Sequence, residues 1–258
     1  MQDEKIRLLL SGCNGSMGRV ITGLAAQRPD CRVVAGVDKD TRRLADYPVF
    51  ASPAAVDVAF DVLIDFSHPS LFDALLDYAC AQKKPAVLAT TGLSLEQTER
   101  IEAAAAVIPV FRSANMSLGV NLMCELVKKA ALALGPAFDM EIIERHHNQK
   151  VDAPSGTALM LADSVNAVLE TPLDYVYDRH LQHQKRTQHE IGIHSIRGGT
   201  IVGEHEVLFA GHNETLSIQH AASSKEVFAA GAVRAALYLY GQPVGLYDMS
   251  SMLRKLLD

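Results

Sequence analysis

Apolar and polar positions alternate between two periods through the first part of the chain. Residues 6–10 form an apolar run broken only by Arg7, after a charged start, the pattern of a strand buried on both faces. A glycine-rich turn follows, and residues 17–28 then carry Val20, Ile21 and Leu24 at helical spacing. The strand pattern recurs at 32–38, 62–66, 85–89 and 107–111, with helical segments at 71–82 and 95–106. Ser94 reads as an N-cap, and Gln97 three residues later completes a capping box. Strands alternating with helices at this spacing predict βαβ units and a parallel sheet.

The texture changes after Asn115. Residues 118–134 read as one long helix, stopped by Gly135-Pro136. Residues 139–145 are strand-like, and 155–169 are helical, with Pro154 suited to the first turn. Three further strand-like pieces follow at 190–196, 200–209 and 214–219. Gly198-Gly199 and His212-Asn213 sit as turns between them, which predicts antiparallel hairpins. Residues 175–189 are polar and patternless and read as a surface loop, and 225–240 return to a helix rich in small residues. The chain thus reads as α/β, then α+β, then a final helix.

The turn Gly12-Cys13-Asn14-Gly15-Ser16-Met17-Gly18 lies between the first strand and the first helix. A dinucleotide site needs that context, because glycines let the backbone approach a pyrophosphate and a helix N-terminus offers N–H groups. The spacing is GxxGxxG, with Asn14 where the common fingerprint has its second glycine; Asn tolerates left-handed backbone better than most residues. Asp38 ends the second strand about twenty residues further on, where an acid binds ribose hydroxyls. Lys39 beside it is a cation for a 2′-phosphate, so NADPH is a candidate as well as NADH. Thr90-Thr91-Gly92 and Ser113-Ala114-Asn115-Met116 follow the fourth and fifth strands, where they would line the nicotinamide end. His68, at a strand end, is read either as near the nicotinamide or as structural.

Residues 144–158 concentrate two histidines, a lysine and two acids next to a helix start. Ser155, Gly156 and Thr157 would present hydroxyls and N–H groups to a carboxylate, and Lys150 adds positive charge. The segment suits an anionic small molecule, with a histidine free to transfer a proton. A polar loop is the second reading and a metal site the third, since neighbours on a strand point to opposite faces and His146 and His147 need not act together. His180 and His183 share an i,i+3 spacing in the polar loop, His189, His194 and His212 read as loop or turn residues, and His205 and His220, on strands, face either the cleft or solvent.

Composition narrows the classes. The 258 residues allow one large domain or two modest ones, with 48 % apolar and 21 % charged residues as in globular chains. A net charge of −6 argues against a general nucleic-acid binder. Cys13, Cys31, Cys80 and Cys124 form no CxxC pair and read as thiols in a reducing compartment. Acidic residues precede the first apolar run, unlike a signal peptide. The longest stretch lacking Asp, Glu, Lys and Arg, 235–247, contains Gly241 and Pro243 and would not span a bilayer. A cytoplasmic protein without membrane partner is the expectation.

The segment Glu141-x-x-Glu144-x-His146-His147-x-x-Lys150-x-Asp152-x-Pro154-Ser155-Gly156-Thr157-Ala158 resembles the signature of the 4-hydroxy-tetrahydrodipicolinate reductases of lysine and diaminopimelate synthesis. The glycine turn, residues 61–67 (DVLIDFS), Thr90-Thr91-Gly92, residues 115–121, Arg197-Gly198-Gly199, residues 202–205 (VGEH) and residues 231–235 are similar to that family in the same order. The resemblance implies a Rossmann-like nucleotide-binding domain with a parallel sheet (1–117 and 226–258). It also implies an α+β substrate and tetramerisation domain with a mixed, largely antiparallel sheet (118–225). It implies His146 as general acid/base and Lys150 as a second proton-donating or orienting residue. His147, Ser155, Gly156 and Thr157 become contacts for a dicarboxylate. Gly12, Cys13, Asn14, Gly15, Ser16, Met17, Asp38, Lys39, Ala89, Thr90, Thr91, Ser113, Ala114, Asn115 and Met116 become contacts for NADH or NADPH. No metal is implied, and a homotetramer is. Ala89, Lys39 and Lys225 depart from the pattern, standing where Gly, Arg and Arg are common.

Overall fold

The computed structural model describes residues 5–180 and 183–257. It begins with β1 (Ile6–Ser11), α1 (Ser16–Ala26), β2 (Cys31–Val37), β3 (Val49–Phe50), β4 (Val62–Asp65) and α2 (Pro69–Ala81). Then come β5 (Ala86–Leu88), α3 (Leu95–Ala105), β6 (Pro109–Arg112), α4 (Leu118–Leu134), β7 (Asp139–His146) and α5 (Gly156–Asn166). The chain continues through β8 (Asp174–Val176), β9 (Glu190–Arg197), β10 (Gly203–Gly211), β11 (Glu214–Ala222), α6 (Glu226–Leu239), β12 (Gly245–Tyr247) and α7 (Met249–Leu257).

Two compact units result, one from residues 1–118 with 226–258 and one from 119–225. The first holds a seven-stranded sheet in the order β12-β6-β5-β4-β1-β2-β3, parallel throughout. Its central strands are apolar on both faces, with Leu8, Leu9, Leu10, Leu63 and Ile64 fully buried, as a sheet covered by helices on both sides requires. Helix α3 starts at the capping box read from the sequence: Ser94 Oγ accepts from Gln97 N, and Gln97 Oε1 from Ser94 N. Helix α6 returns the chain to this unit with Ala229, Ala232, Ala235 and Ala236 buried, so it lies close to its neighbours.

The second unit has a mixed five-stranded sheet in the order β11-β10-β7-β9-β8. Two ladders are antiparallel, β10–β11 and β10–β7, and two are parallel, β7–β9 and β8–β9. His212-Asn213 does turn a hairpin between β10 and β11. Gly198-Gly199 does not. β9 and β10 lie on opposite sides of β7, so the connection crosses that strand. Sequence spacing shows that two strands are close in the chain, not that a third is inserted between them. Pro154 also lies outside α5: Ser155 is the N-cap, and its Oγ accepts from Ala158 N at 3.2 Å.

The segment read as a loop at 175–189 begins inside β8, and residues 181–182 of it lie outside the described residues. Arg179 and Arg186 strap it to the sheet through Glu141 and Glu190. The short strands β3 and β12 have no counterpart in the hydrophobic pattern, because two or three residues show no period, and the nine-residue helix α7 lies beyond the last element read from the sequence. No described helix is long and apolar enough to cross a membrane.

Two glycines test the packing of α6 against a free helix surface. A Cβ on Gly231 would collide with the Met116 carbonyl, whereas one on Gly23 in α1 would meet nothing within 4 Å. Gly231→Ala is expected to destabilise by roughly 1–3 kcal/mol, the usual cost of overpacking. Gly23→Ala should stabilise by about 0.5–1 kcal/mol through helix propensity. Denaturant unfolding of both variants checks the pair, and equal effects would contradict this packing.

Candidate functional site

In the first unit, the β1–α1 turn is shaped by close backbone approach. Gly12 sits at φ +76, and a Cβ there would fall 2.5 Å from the Phe66 carbonyl oxygen. Asn14 takes its place for another reason than left-handed backbone, since it has no positive φ. Its side-chain amide donates to the Asp40 and Arg42 carbonyls at 2.7 and 2.8 Å, and its N–H donates to Asp38 Oδ2 at 2.9 Å. Asp38 also accepts from Asp40 N at 3.1 Å. The glycine turn and the loop after β2 are therefore stitched into one wall.

That wall borders a cavity of about 660 Å³, within the usual range for small-molecule sites. Gly12, Asn14, Gly15, Asp38 and Lys39 line it, so five of the predicted cofactor residues converge. Ser67 and His68 line it too. Ser67 was legible only as part of the DVLIDFS segment, and His68 had been left between two readings. The His68 Nδ1 accepts from Ser70 N and caps α2.

Cys13, Ser16 and Met17 are not among the lining residues. Cys13 is 1 % exposed, and burial, followed by the nearby Asp38 charge, pushes its thiol up to about 11. Cys13 therefore stays a protonated packing group, and any ligand contact there comes from its backbone.

Ala89–Thr91 and Ser113–Met116 also lie outside that cavity lining. Thr90 is committed to Asp65, which is fully buried and accepts from Thr90 Oγ1 at 2.7 Å, Ser67 Oγ at 2.6 Å and Ser67 N at 2.9 Å. This carboxylate locks the loops after β4 and β5 together. Thr91 and Ala114 are exposed, Ala89 and Ser113 half-buried, and Met116 is in the core. Ser113 Oγ donates to the Asn115 carbonyl, and Asn115 Oδ1 accepts from Ser117 N.

The second unit is organised by one buried carboxylate. Register places Glu144 of β7 opposite Ser195 of β9 and His205 of β10, all on one face. The next row on that face is Arg197, His146 and position 203. Glu144 has no exposed surface and is gripped by the Arg197 fork at 2.8 Å on each oxygen, by His146 Nδ1 at 2.6 Å and by Ser155 N at 3.1 Å. Burial raises the Glu144 pKa, but the bonds from Arg197, His146 and Ser155 outweigh it and hold the carboxyl down at about 2.

His146 is 8 % exposed. Its Nδ1 faces Glu144, so Nε2 is the nitrogen left to meet a reactant. Nε2 lies beside Gly203, where a Cβ would come within 3.1 Å. His205 packs edge-on against His146 at 5.2 Å between ring centres and reaches Ser155 Oγ at 3.0 Å. Burial, and then the neighbouring His146, push His205 down to about 4 against the pull of Glu144, so it is uncharged at neutral pH.

Lys150 Nζ pairs with Asp152 Oδ1 at 2.7 Å, and the Asp152 carbonyl accepts from Arg197 Nη2. Ser155 is 2 % exposed, with its oxygen engaged in capping, while Gly156 is exposed and His147 and Thr157 half-exposed. The structure thus brings His146 and Ser155 together through Glu144 and joins the Lys150 loop to them through Arg197. Arg197 is visible in the sequence only as a member of a similar segment and His205 only as a strand histidine facing cleft or solvent; the signal for both is strand parity with Glu144. No group of three or more His, Cys, Asp or Glu among the described residues is arranged to hold a metal.

A Rossmann-type parallel sheet with a glycine-turn cavity, next in the chain to a unit built around a carboxylate-held histidine, defines a nicotinamide-nucleotide-dependent oxidoreductase. Family models described as dihydrodipicolinate reductase, N-terminus and C-terminus, match residues 6–116 and 119–253. The chain is 52 % identical over 250 residues to the 4-hydroxy-tetrahydrodipicolinate reductase of Caldanaerobacter subterraneus subsp. tengcongensis, covering 97 % of this chain and 99 % of that one. It is 49 % identical over 248 residues to the enzyme of the same name from Clostridium tetani, covering 96 % and 97 %. A dipicolinate-bound dihydrodipicolinate reductase from Paenisporosarcina sp. TG-14 superposes with a TM-score of 0.79 at 26 % identity, over 95 % of this chain and 98 % of that one. The chain belongs to the 4-hydroxy-tetrahydrodipicolinate reductase family, which reduces that substrate in lysine biosynthesis.

Two titrations carry a prediction about acid stability. A depressed folded-state pKa contributes stability above the unfolded value and loses it as pH falls. The His205 contribution is thus expected to fade from about pH 6.5 to about 4, and that of Glu144 from about 4.5 to about 2. Each is on the order of 3 kcal/mol from the size of the shift. Urea unfolding between pH 8 and pH 5 should show falling stability in the wild type and a flatter profile in His205→Gln. Identical slopes would contradict a buried neutral His205.

Proposed function

We propose that the first unit binds the nicotinamide nucleotide and the second binds the dicarboxylate and gives the proton. The cavity at Gly12 and Gly15 fits a nucleotide, because a side chain at position 12 would clash with Phe66 and the turn leads directly into the N-terminus of α1. When bound, the nicotinamide supplies the hydride.

His146 gives its proton from Nε2 to the substrate atom that becomes electron-rich. The observation that carries this is the 2.6 Å bond between His146 Nδ1 and Glu144, which fixes the ring and leaves Nε2 as the nitrogen to give the proton. Lys150 and the N-terminus of α5 at Gly156 and Thr157 hold the carboxylates, with His147 beside them. Lys150 is already paired with one carboxylate, that of Asp152, so a substrate carboxylate takes the place of Asp152. Ser155 serves by shaping this terminus, in line with its burial.

Both NADH and NADPH serve as cofactors in this reading. Asp38 is held in place by Asn14 and Asp40 for ribose hydroxyls, and the exposed Lys39 stands beside it for a 2′-phosphate. A cytoplasmic homotetramer is proposed as well, supported by the long edge strand β11, whose residues 214–217 are all exposed.

Substrate generated by dihydrodipicolinate synthase, with oxidation of each cofactor followed separately, tests the reading. His146→Ala is expected to lower kcat by roughly 10²–10⁴-fold, the usual contribution of general acid catalysis. Its NADH affinity should stay within about twofold, since that site lies in the other unit. A parallel loss of both, or no loss, would refute the role. Lys39→Ala should raise KM for NADPH about tenfold, the worth of one charge-assisted hydrogen bond, and leave that for NADH nearly unchanged. An equal effect on both cofactors would count against the phosphate contact.

A further inference from the structure

We propose that His205 is a positioning residue of the substrate site, tying the N-terminus of α5 to the His146–Glu144 pair. The proton donor and the carboxylate-binding terminus are thereby kept at one spacing. The inference rests on the roles given above to His146 and to that terminus.

Ser155 is held from two sides. Its N–H donates to Glu144 Oε1 at 3.1 Å, and its Oγ lies 3.0 Å from His205 Nε2 while accepting from Ala158 N at 3.2 Å. The backbone of the cap is therefore set by β7 and its side chain by β10. The same His205 ring stands against His146 at 5.2 Å with planes at 74°. One imidazole thus touches both halves of the site, and it can do so because register puts it directly opposite Glu144.

Its burial needs a reason. His205 is 5 % exposed, and its Nδ1 is buried with no hydrogen-bond partner among the described residues. An apolar side chain would fill this place without leaving a polar atom unpaired. What an apolar side chain would lose is the bond to Ser155. The groups facing His205 are Glu144 and His146 on β7, Ser155 at the start of α5, Lys150 in the preceding loop and His220, its partner on β11.

The test compares His205→Leu, His205→Gln, Ser155→Ala and the double variant His205→Leu/Ser155→Ala. The readouts are KM for the dicarboxylate and kcat, together with calorimetric Kd values for dipicolinate and NADH. His205→Leu is expected to raise the substrate KM and the dipicolinate Kd about tenfold, with the NADH Kd within about twofold. His205→Gln, whose amide can reach Ser155, should recover most of that loss. The double variant should be no worse than the worse single one, because both remove the same bond.

A purely structural role would lower Tm and the active fraction while leaving KM and Kd per folded molecule unchanged. That result overturns the proposal, as does a His205→Gln variant as impaired as His205→Leu. If His205→Leu does not fold, Ser155→Ala decides: an unaltered dipicolinate Kd overturns the proposal and a tenfold rise supports it. Wild-type activity and the His146→Ala effect are measured alongside. Their failure would undo the underlying assignment, whereas their success with unaltered His205 variants would undo only this one.

Discussion

A carboxylate with no exposed surface is costly unless every lone pair is met, and Glu144 imposes that condition on the second unit. Its partners come from three elements: the Arg197 fork from β9, the His146 ring on β7 itself and the backbone N–H of Ser155 at the start of α5. Each must arrive in register, so one buried charge fixes the pairing of β7 with β9 and the seat of α5. It also orients the imidazole through Nδ1 and leaves Nε2 for chemistry. Stability and reactivity here share one set of hydrogen bonds, and a change to any member is felt by the others.

The first unit uses the same device on a smaller scale. Asp65 is buried and joins Ser67 to Thr90, and Asp38 joins Asn14 to Asp40. In both places an acidic side chain at the end of a strand is spent on neighbouring loops. Loops that would otherwise be mobile become rigid rims at the carboxyl ends of a parallel sheet, which is where such sheets bind ligands. Both units therefore hold their loops with carboxylates, Glu144 and Asp65 fully buried and Asp38 at the cavity wall.

Much of this was readable in the chain. The capping box at Ser94 and Gln97 formed as written because both bonds lie within four residues. The apolar runs became central parallel strands because only a doubly covered strand tolerates them. The His-His-Lys segment stood out by composition, and the fold joins His146 and Lys150 through Glu144, Arg197 and Asp152. Asn14 was harder: its left-handed tolerance suggested one role, whereas its side chain serves another, to carbonyls of residues 40 and 42. Ser155, expected as a ligand contact, is a buried cap of α5. Gly198-Gly199 looked like a hairpin turn and is instead a crossing over β7.

What the sequence determined by itself is local or compositional: the alternation of strands and helices, the glycine turn with its acid at Asp38, and the clustering of histidine, lysine and acid at residues 144–158. Such features depend on a few neighbouring residues, so their physics is complete in the chain. The tertiary structure alone decided which strand lies between which, and hence that Glu144, Arg197 and His205 meet. Arg197 and His205 lie more than fifty positions along the chain from Glu144, and a buried charge selects its partners by distance and desolvation in three dimensions, neither of which a linear pattern records.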